Sequence, residues 1–72
     1  LPTVALELEQ LMQLQEPGPT AALLHRIKGT SACFGFTRIS ALAATTELAL
    51  NENRWPAEQL NELLLQIRQE QP

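Results

Sequence analysis

The 72-residue sequence predicts an all-α fold, an antiparallel up-down-up-down four-helix bundle. Apolar residues recur every three or four positions along the whole chain, and no run of β-branched residues competes with this pattern. Short breaks separate four periodic segments, so neighbouring helices must run antiparallel. We expect one domain over residues 1–72, with helices at about residues 2–15, 20–34, 38–50 and 56–70.

A proline-rich break is predicted between the first and second helices. Pro2 suits a first helical turn, where the N–H that proline lacks would have no partner anyway. Residues 16–19 read Glu-Pro-Gly-Pro and are predicted to lie outside both helices. Gly35 is predicted to close the second helix in the left-handed conformation. The expected core faces are Val4, Leu8, Leu11 and Met12, and then Thr20, Leu23, Leu24, Ile27, Thr30, Ser31 and Phe34.

The third and fourth helices have similar signals. Thr37 is the expected N-cap of the third helix, and residues 51–54 form a turn. Pro56 is predicted to open the last helix, and Trp55 to cover one end of the core. The inward residues are predicted to be Ile39, Leu42, Ala43, Thr46, Ala49 and Leu50, and then Leu60, Leu63, Leu64 and Ile67.

Composition excludes several classes of function. A net charge of −3 and few aromatic residues disfavour nucleic-acid binding, and no apolar run reaches the roughly 20 residues of a membrane span. Cys33 is the only cysteine, which fits a reducing compartment, and no spacing of ligands suggests a metal site. The chain begins at Leu1 without a methionine, so we expect a fragment of a longer protein.

The only histidine, His25, is predicted to point away from the core, because it lies roughly 150° from the centre of its helix's apolar stripe. That angle argues against a core histidine, whereas exposure by chance stays open. Gly29 costs about 1 kcal/mol relative to alanine in mid-helix, which indicates a purpose other than stability. The face around His25 is made of small residues that leave room for another protein: Ala21, Ala22, Gly29 and Ala32.

Two charged residues are candidates to act with His25. Lys28 lies three positions on, where its ammonium would neutralise a phosphoryl group on the imidazole. Glu47 lies on the third helix at a similar height and is predicted to accept a hydrogen bond from Nδ1–H of His25. That bond would leave Nε2 as the nucleophile. The alternatives are a solvated lysine and a solvated surface glutamate.

This pattern resembles the histidine-containing phosphotransfer (HPt) domain of bacterial and fungal phosphorelays. The family pattern is roughly His-x-Leu-Lys-Gly-x-Ser, then a glycine four residues on, then a leucine-rich helix with Glu or Gln. Phe36 departs from it, since the family more often has alanine there, and the chain is expected to lack an extra N-terminal helix. The matching residues are His25, Ile27, Lys28, Gly29, Ser31, Gly35, Ile39, Leu42 and Glu47.

The resemblance implies that His25 carries the phosphoryl group on Nε2, that Glu47 orients the ring, that Lys28 assists the phosphoryl oxygens, and that Gly29 gives the partner access. The expected partners are receiver domains of a hybrid kinase or a response regulator. The expected Mg²⁺ belongs to the receiver, and this chain needs no cofactor. We expect a cytoplasmic monomer from a hybrid sensor histidine kinase, possessing no kinase activity of its own because it lacks a glycine-rich phosphate loop.

Three alternatives compete with this interpretation. The dimerisation and phosphoacceptor domain of a sensor kinase also bears a histidine, typically followed by an acidic residue and then a proline. Here Arg26 follows His25, and the next proline is Pro56. A plain helical interaction module would make His25 incidental. A small hydrolase or metal enzyme would need a second catalytic group near His25 besides Glu47, and a cleft that a chain of this length does not form.

Overall fold

The computed structural model describes residues 2–70, which form four α-helices and no strand. These are α1 (Pro2–Leu14), α2 (Pro17–Cys33), α3 (Thr37–Asn51) and α4 (Ala57–Gln69). Each helix packs against the next along the chain, and α1 packs against α4, so the four helices close into a bundle. The all-α prediction of an antiparallel four-helix bundle is confirmed.

The second helix begins three residues earlier than predicted, because Pro17 and Pro19 lie inside its first turn. Pro17 occupies the first helical position, where no N–H is needed, and the amide of Thr20 donates to the carbonyl of Glu16 at 3.2 Å. The Thr20 hydroxyl donates to the same carbonyl at 2.7 Å. The prediction that residues 17–19 lie outside the helix was wrong, since prolines that interrupt a helix interior are compatible with its start. Gln15, with φ of 52°, makes the actual turn.

The connection between α2 and α3 contains one confirmed feature and one error. Gly35 has φ of 81° and closes α2 as predicted. Thr37 is the first residue of α3 rather than its N-cap; the cap is Phe36, which makes no side-chain capping bond. Phe36 is half-buried and packs on the core, so the position that departs from the family pattern contributes apolar contact.

Most of the predicted core residues are buried; Val4, Leu11, Met12 and Leu42 are only partly buried and pack against the core, and two residues of α2 are exposed. Thr30 is exposed in the open groove between α1 and α2, and Phe34 is exposed because α2 ends at Cys33. Trp55 packs against one part of the core as predicted. Each fully buried Leu or Ile stabilises the fold by about 1.5–3 kcal/mol before entropy is counted. The residues of this core are Ala5, Leu8, Leu23, Leu24, Ile27, Ile39, Ala43, Leu50, Leu60, Leu63, Leu64 and Ile67.

The pair of helices that matters for the site, α2 and α3, is the most closely packed pair in the bundle. Small side chains at the contact allow this approach, because Ser31 and Ala43 are both fully buried. The Ser40 hydroxyl also donates to the main-chain carbonyl of Lys28 at 3.0 Å, which links the two helices directly. Close packing fixes the register of α3 relative to α2, and therefore which residues of the two helices face each other.

Within residues 2–70, no helix is both long enough and apolar enough to cross a membrane. The same residues contain no group of three or more His, Cys, Asp or Glu side chains placed to hold a metal ion.

Candidate functional site

His25 lies near the middle of α2 on the surface of the bundle, and its side chain is 71% exposed. The predicted outward orientation is therefore found in the structure. Neighbouring residues of the same helix, Leu24 and Ile27, are buried in the core and fix the rotation of α2 about its axis. The imidazole is thus held outward by packing on the opposite face of the helix.

Glu47 on α3 lies beside His25, as its position along the bundle predicts. Its Oε2 is 3.4 Å from Nδ1 of His25, and its side chain is only 18% exposed. The carboxylate is held between the two helices while the imidazole reaches outward over it. Because Nδ1 faces the carboxylate, Nε2 on the other side of the ring is the nitrogen available to a partner.

Lys28 faces the same carboxylate from one turn further along α2. Its Nζ is 3.4 Å from Oε1 of Glu47, and its side chain is 39% exposed. Glu47 therefore uses one oxygen towards the imidazole and the other towards the ammonium. This shared carboxylate gathers the three residues into one cluster, although Lys28 and His25 come from one helix and Glu47 from another.

The face around His25 is open. A Cβ built on Gly29 would meet no heavy atom within 4 Å, so nothing in the bundle itself requires a glycine there. Ala22 and Ala32 are exposed as predicted, whereas Ala21 is half-buried against the core. Ala21 was predicted to lie on the open face; the packing of α2 instead turns it to the border of that face.

Three features of the site were not found by sequence reasoning. Ser40 holds the carbonyl of Lys28, and Arg26 pairs with Glu7 of α1 at 2.9 Å. Both contacts depend on how neighbouring helices are aligned. The angular positions of residues around a single helix give no information about that alignment. The third is Phe34, which is 71% exposed near His25, although its angular position on α2 predicted a place in the core. The signal for its exposure is Gly35, the glycine directly after Phe34, which turns the chain where α2 ends.

The arrangement has the properties of a nucleophile that is offered to another protein. An exposed imidazole has its Nδ1 3.4 Å from a carboxylate oxygen, a cation is close by, and small residues surround it. The depression at His25 is shallow and open, which suits a protein surface better than a small substrate.

Comparison with known proteins gives one finding. No curated protein and no solved structure matches the chain significantly. The family model for the Hpt domain matches residues 1–70, nearly the whole chain. The chain therefore belongs to the Hpt domain family, whose members interact with receiver domains and carry out histidine phosphotransfer in phosphorelays.

Proposed function

We propose that His25 accepts a phosphoryl group on Nε2 from the aspartate of a receiver domain and passes it to the aspartate of a response regulator. The observation that carries this proposal is the pairing of an exposed imidazole with a largely buried carboxylate through Nδ1, at 3.4 Å. Family membership supports the general role, and this geometry supports His25 as the acceptor.

Glu47 is proposed to position the ring. A carboxylate at Nδ1 favours the tautomer with hydrogen on Nδ1, which leaves the lone pair on Nε2. The backbone of Glu47 is fixed by α3, and its side chain is mostly shielded from water, so the ring has a preferred orientation before a partner arrives. Such preorganisation reduces the entropy lost on reaching an in-line geometry.

In the proposed phosphoryl transfer to His25, atoms and charge balance without an additional reactant. The lone pair of Nε2 attacks the phosphorus of an aspartyl phosphate, an N–P bond forms, and the P–O bond to the aspartate breaks. The aspartate leaves as a carboxylate, and the Nδ1 proton stays between the ring and Glu47. Attack by a second receiver's aspartate on the phosphohistidine reverses these bond changes and regenerates the neutral imidazole.

Lys28 is proposed to neutralise charge on the phosphoryl group. At rest its ammonium faces Oε1 of Glu47, and it lies on the same side of α2 as His25. A phosphoryl group on Nε2 would carry more negative charge than the carboxylate, so the flexible lysine would move towards it. Its partial exposure leaves it free to make that movement.

The receiver domain is proposed to supply the remaining groups that phosphoryl transfer needs. Phosphoryl transfer needs positioning and charge neutralisation, and we expect the receiver to supply the Mg²⁺. Gly29, Ala22 and Ala32 would let the receiver approach His25 closely, with Ala21 at the border of that surface. We propose that the chain acts as a monomer on the cytoplasmic side of a hybrid sensor kinase and does not phosphorylate itself.

Intact mass after incubation with a phosphorylated receiver and Mg²⁺ tests the proposal. The wild-type chain should gain one phosphoryl group that is labile in acid and stable in alkali, and His25→Gln should gain none. If no receiver in a broad panel modifies the wild type, or if His25→Gln is modified equally, His25 is not the acceptor. The chain would then be better described as a helical interaction module.

A further inference from the structure

A large aromatic side chain is exposed on the same surface as His25. Phe34 follows the last residue of α2 and is 71% exposed. The chain turns at Gly35, and the next residue, Phe36, packs on the core instead. Because the fold already has an aromatic residue at this end of α2, the exposed ring of Phe34 is not needed to fill the core.

Phe34 and His25 line one continuous depression of about 540 Å³. Gly29 also lines this depression and contributes no side chain to fill it. Most of the surface of the depression is apolar, and Arg26 adds a cationic group at its edge. The lining residues are His25, Arg26, Gly29, Thr30, Cys33 and Phe34.

The distance between the two residues fits one protein interface. Phe34 comes nine residues after His25, which is about 13 Å along the axis of a helix. A stable interface buries about 800 Å² on each partner, equal to a disc of about 16 Å radius. Nine residues also turn a helix by about half a revolution, so a receiver that contacts both residues must lie over the face between them, which includes Arg26 and Cys33.

Two positively charged side chains beside His25 also suit a phosphorylated receiver domain. The chain has a net charge of −3, yet two of its five lysine and arginine residues, Arg26 and Lys28, are immediate neighbours of His25. Arg26 pairs with Glu7 and Lys28 with Glu47, so these cations offer an anionic aspartyl phosphate alternative partners beside His25 rather than a net positive patch.

We propose that Phe34 is the apolar docking anchor for the receiver domain that exchanges phosphoryl groups with His25. This inference rests on the proposed function. A receiver would place an apolar side chain or helix face on the ring, so that docking energy comes from Phe34 while the chemistry occurs at His25. Exposed aromatic residues that become buried in an interface are typical of the few positions that dominate its binding energy.

The test is the concentration dependence of transfer, measured with a receiver that phosphorylates the wild-type chain and is charged with acetyl phosphate and Mg²⁺. Phe34→Ala should raise KM for the phosphorylated receiver by about tenfold or more and leave kcat within about twofold. The matched control is Leu65→Ala. Leu65 is 49% exposed on α4, which has no direct packing with α2 among the described residues. This variant should retain the wild-type KM.

Phe34 is 71% exposed and Leu65 is 49% exposed, so both variants should unfold at nearly the same denaturant concentration as the wild type. An unchanged KM for Phe34→Ala, or an equal rise for Leu65→Ala, overturns the docking inference while leaving phosphotransfer intact. An isolated chain that is dimeric, and becomes monomeric in Phe34→Ala, also overturns it, because a second copy would then cover the ring. A wild-type chain that no receiver phosphorylates overturns the proposed function and this inference together.

Discussion

Replacement of Gly29 by alanine separates the stability of the bundle from the function of its surface. Gly29 lies in the interior of α2, one turn after His25, and is exposed. Its φ is not in the left-handed region, and an added Cβ would meet no heavy atom within 4 Å. The new methyl group therefore fits the folded chain without strain.

The expected gain in stability follows from helix propensity. Glycine in a helix interior costs about 0.5–1 kcal/mol relative to alanine, chiefly because the unfolded glycine has more freedom to lose. We therefore expect Gly29→Ala to raise the free energy of unfolding by about 0.5–1 kcal/mol. For a domain of this size, that corresponds to a rise in Tm of about 2–8 °C.

The same methyl group should slow phosphotransfer. It stands on the face that a receiver must approach, and a misplacement of about 1 Å at the reacting atoms can lower a rate a hundredfold. We expect the rate from a phosphorylated receiver to fall at least about tenfold, although the chain is more stable. Urea unfolding and single-turnover transfer, measured on the same preparation, give the two quantities.

The matched control is a substitution that raises helix propensity on another helix. Asn61 is exposed on α4, and Asn61→Ala should stabilise the chain by about 0.5 kcal/mol while leaving transfer unchanged. A Gly29→Ala variant that is less stable than the wild type would refute the packing argument. One that transfers at the wild-type rate would refute the idea that Gly29 provides access for the partner.

Two further predictions concern the charged cluster. Glu47→Ala should slow transfer by about tenfold or more, because the imidazole loses the group that orients Nδ1, while the partial exposure of the pair keeps the loss of stability near 1 kcal/mol or less. Equal single-turnover rates for this variant and the wild type would remove Glu47 from the mechanism. Lys28→Ala should also slow transfer, and Lys28→Arg should restore part of the rate because the positive charge returns. A Lys28→Ala chain as fast as the wild type would indicate that the ammonium only pairs with Glu47.

The fold and the centre of the site were predictable because both depend on periodicity within single helices. Four apolar stripes with a period near 3.6 residues specify four amphipathic helices, and short connections leave them antiparallel. The angle of His25 from its stripe predicts exposure, which the structure has at 71%. The similar heights of His25 and Glu47 follow from the rise per residue once the turn at Gly35 is placed.

The features that the sequence did not predict depend on the helix boundaries and on the register between neighbouring helices. The wheel treats Phe34 as helical, but α2 ends one residue earlier and the ring points outward. Pro17 resembles a helix breaker, although at the first helical position it is favoured. The contact of Ser40 with the Lys28 carbonyl requires knowledge of the register between α2 and α3, which no local pattern carries.

The most direct test of the account is a three-component relay. A phosphorylated receiver, this chain and a second receiver that the first cannot phosphorylate are mixed with Mg²⁺, and the phosphoryl group on each protein is followed over time. The account predicts that phosphate appears on the wild-type chain first and on the second receiver afterwards, and that His25→Gln blocks both steps. Phosphate that reaches the second receiver equally well with His25→Gln would contradict the claim that His25 is the shuttle.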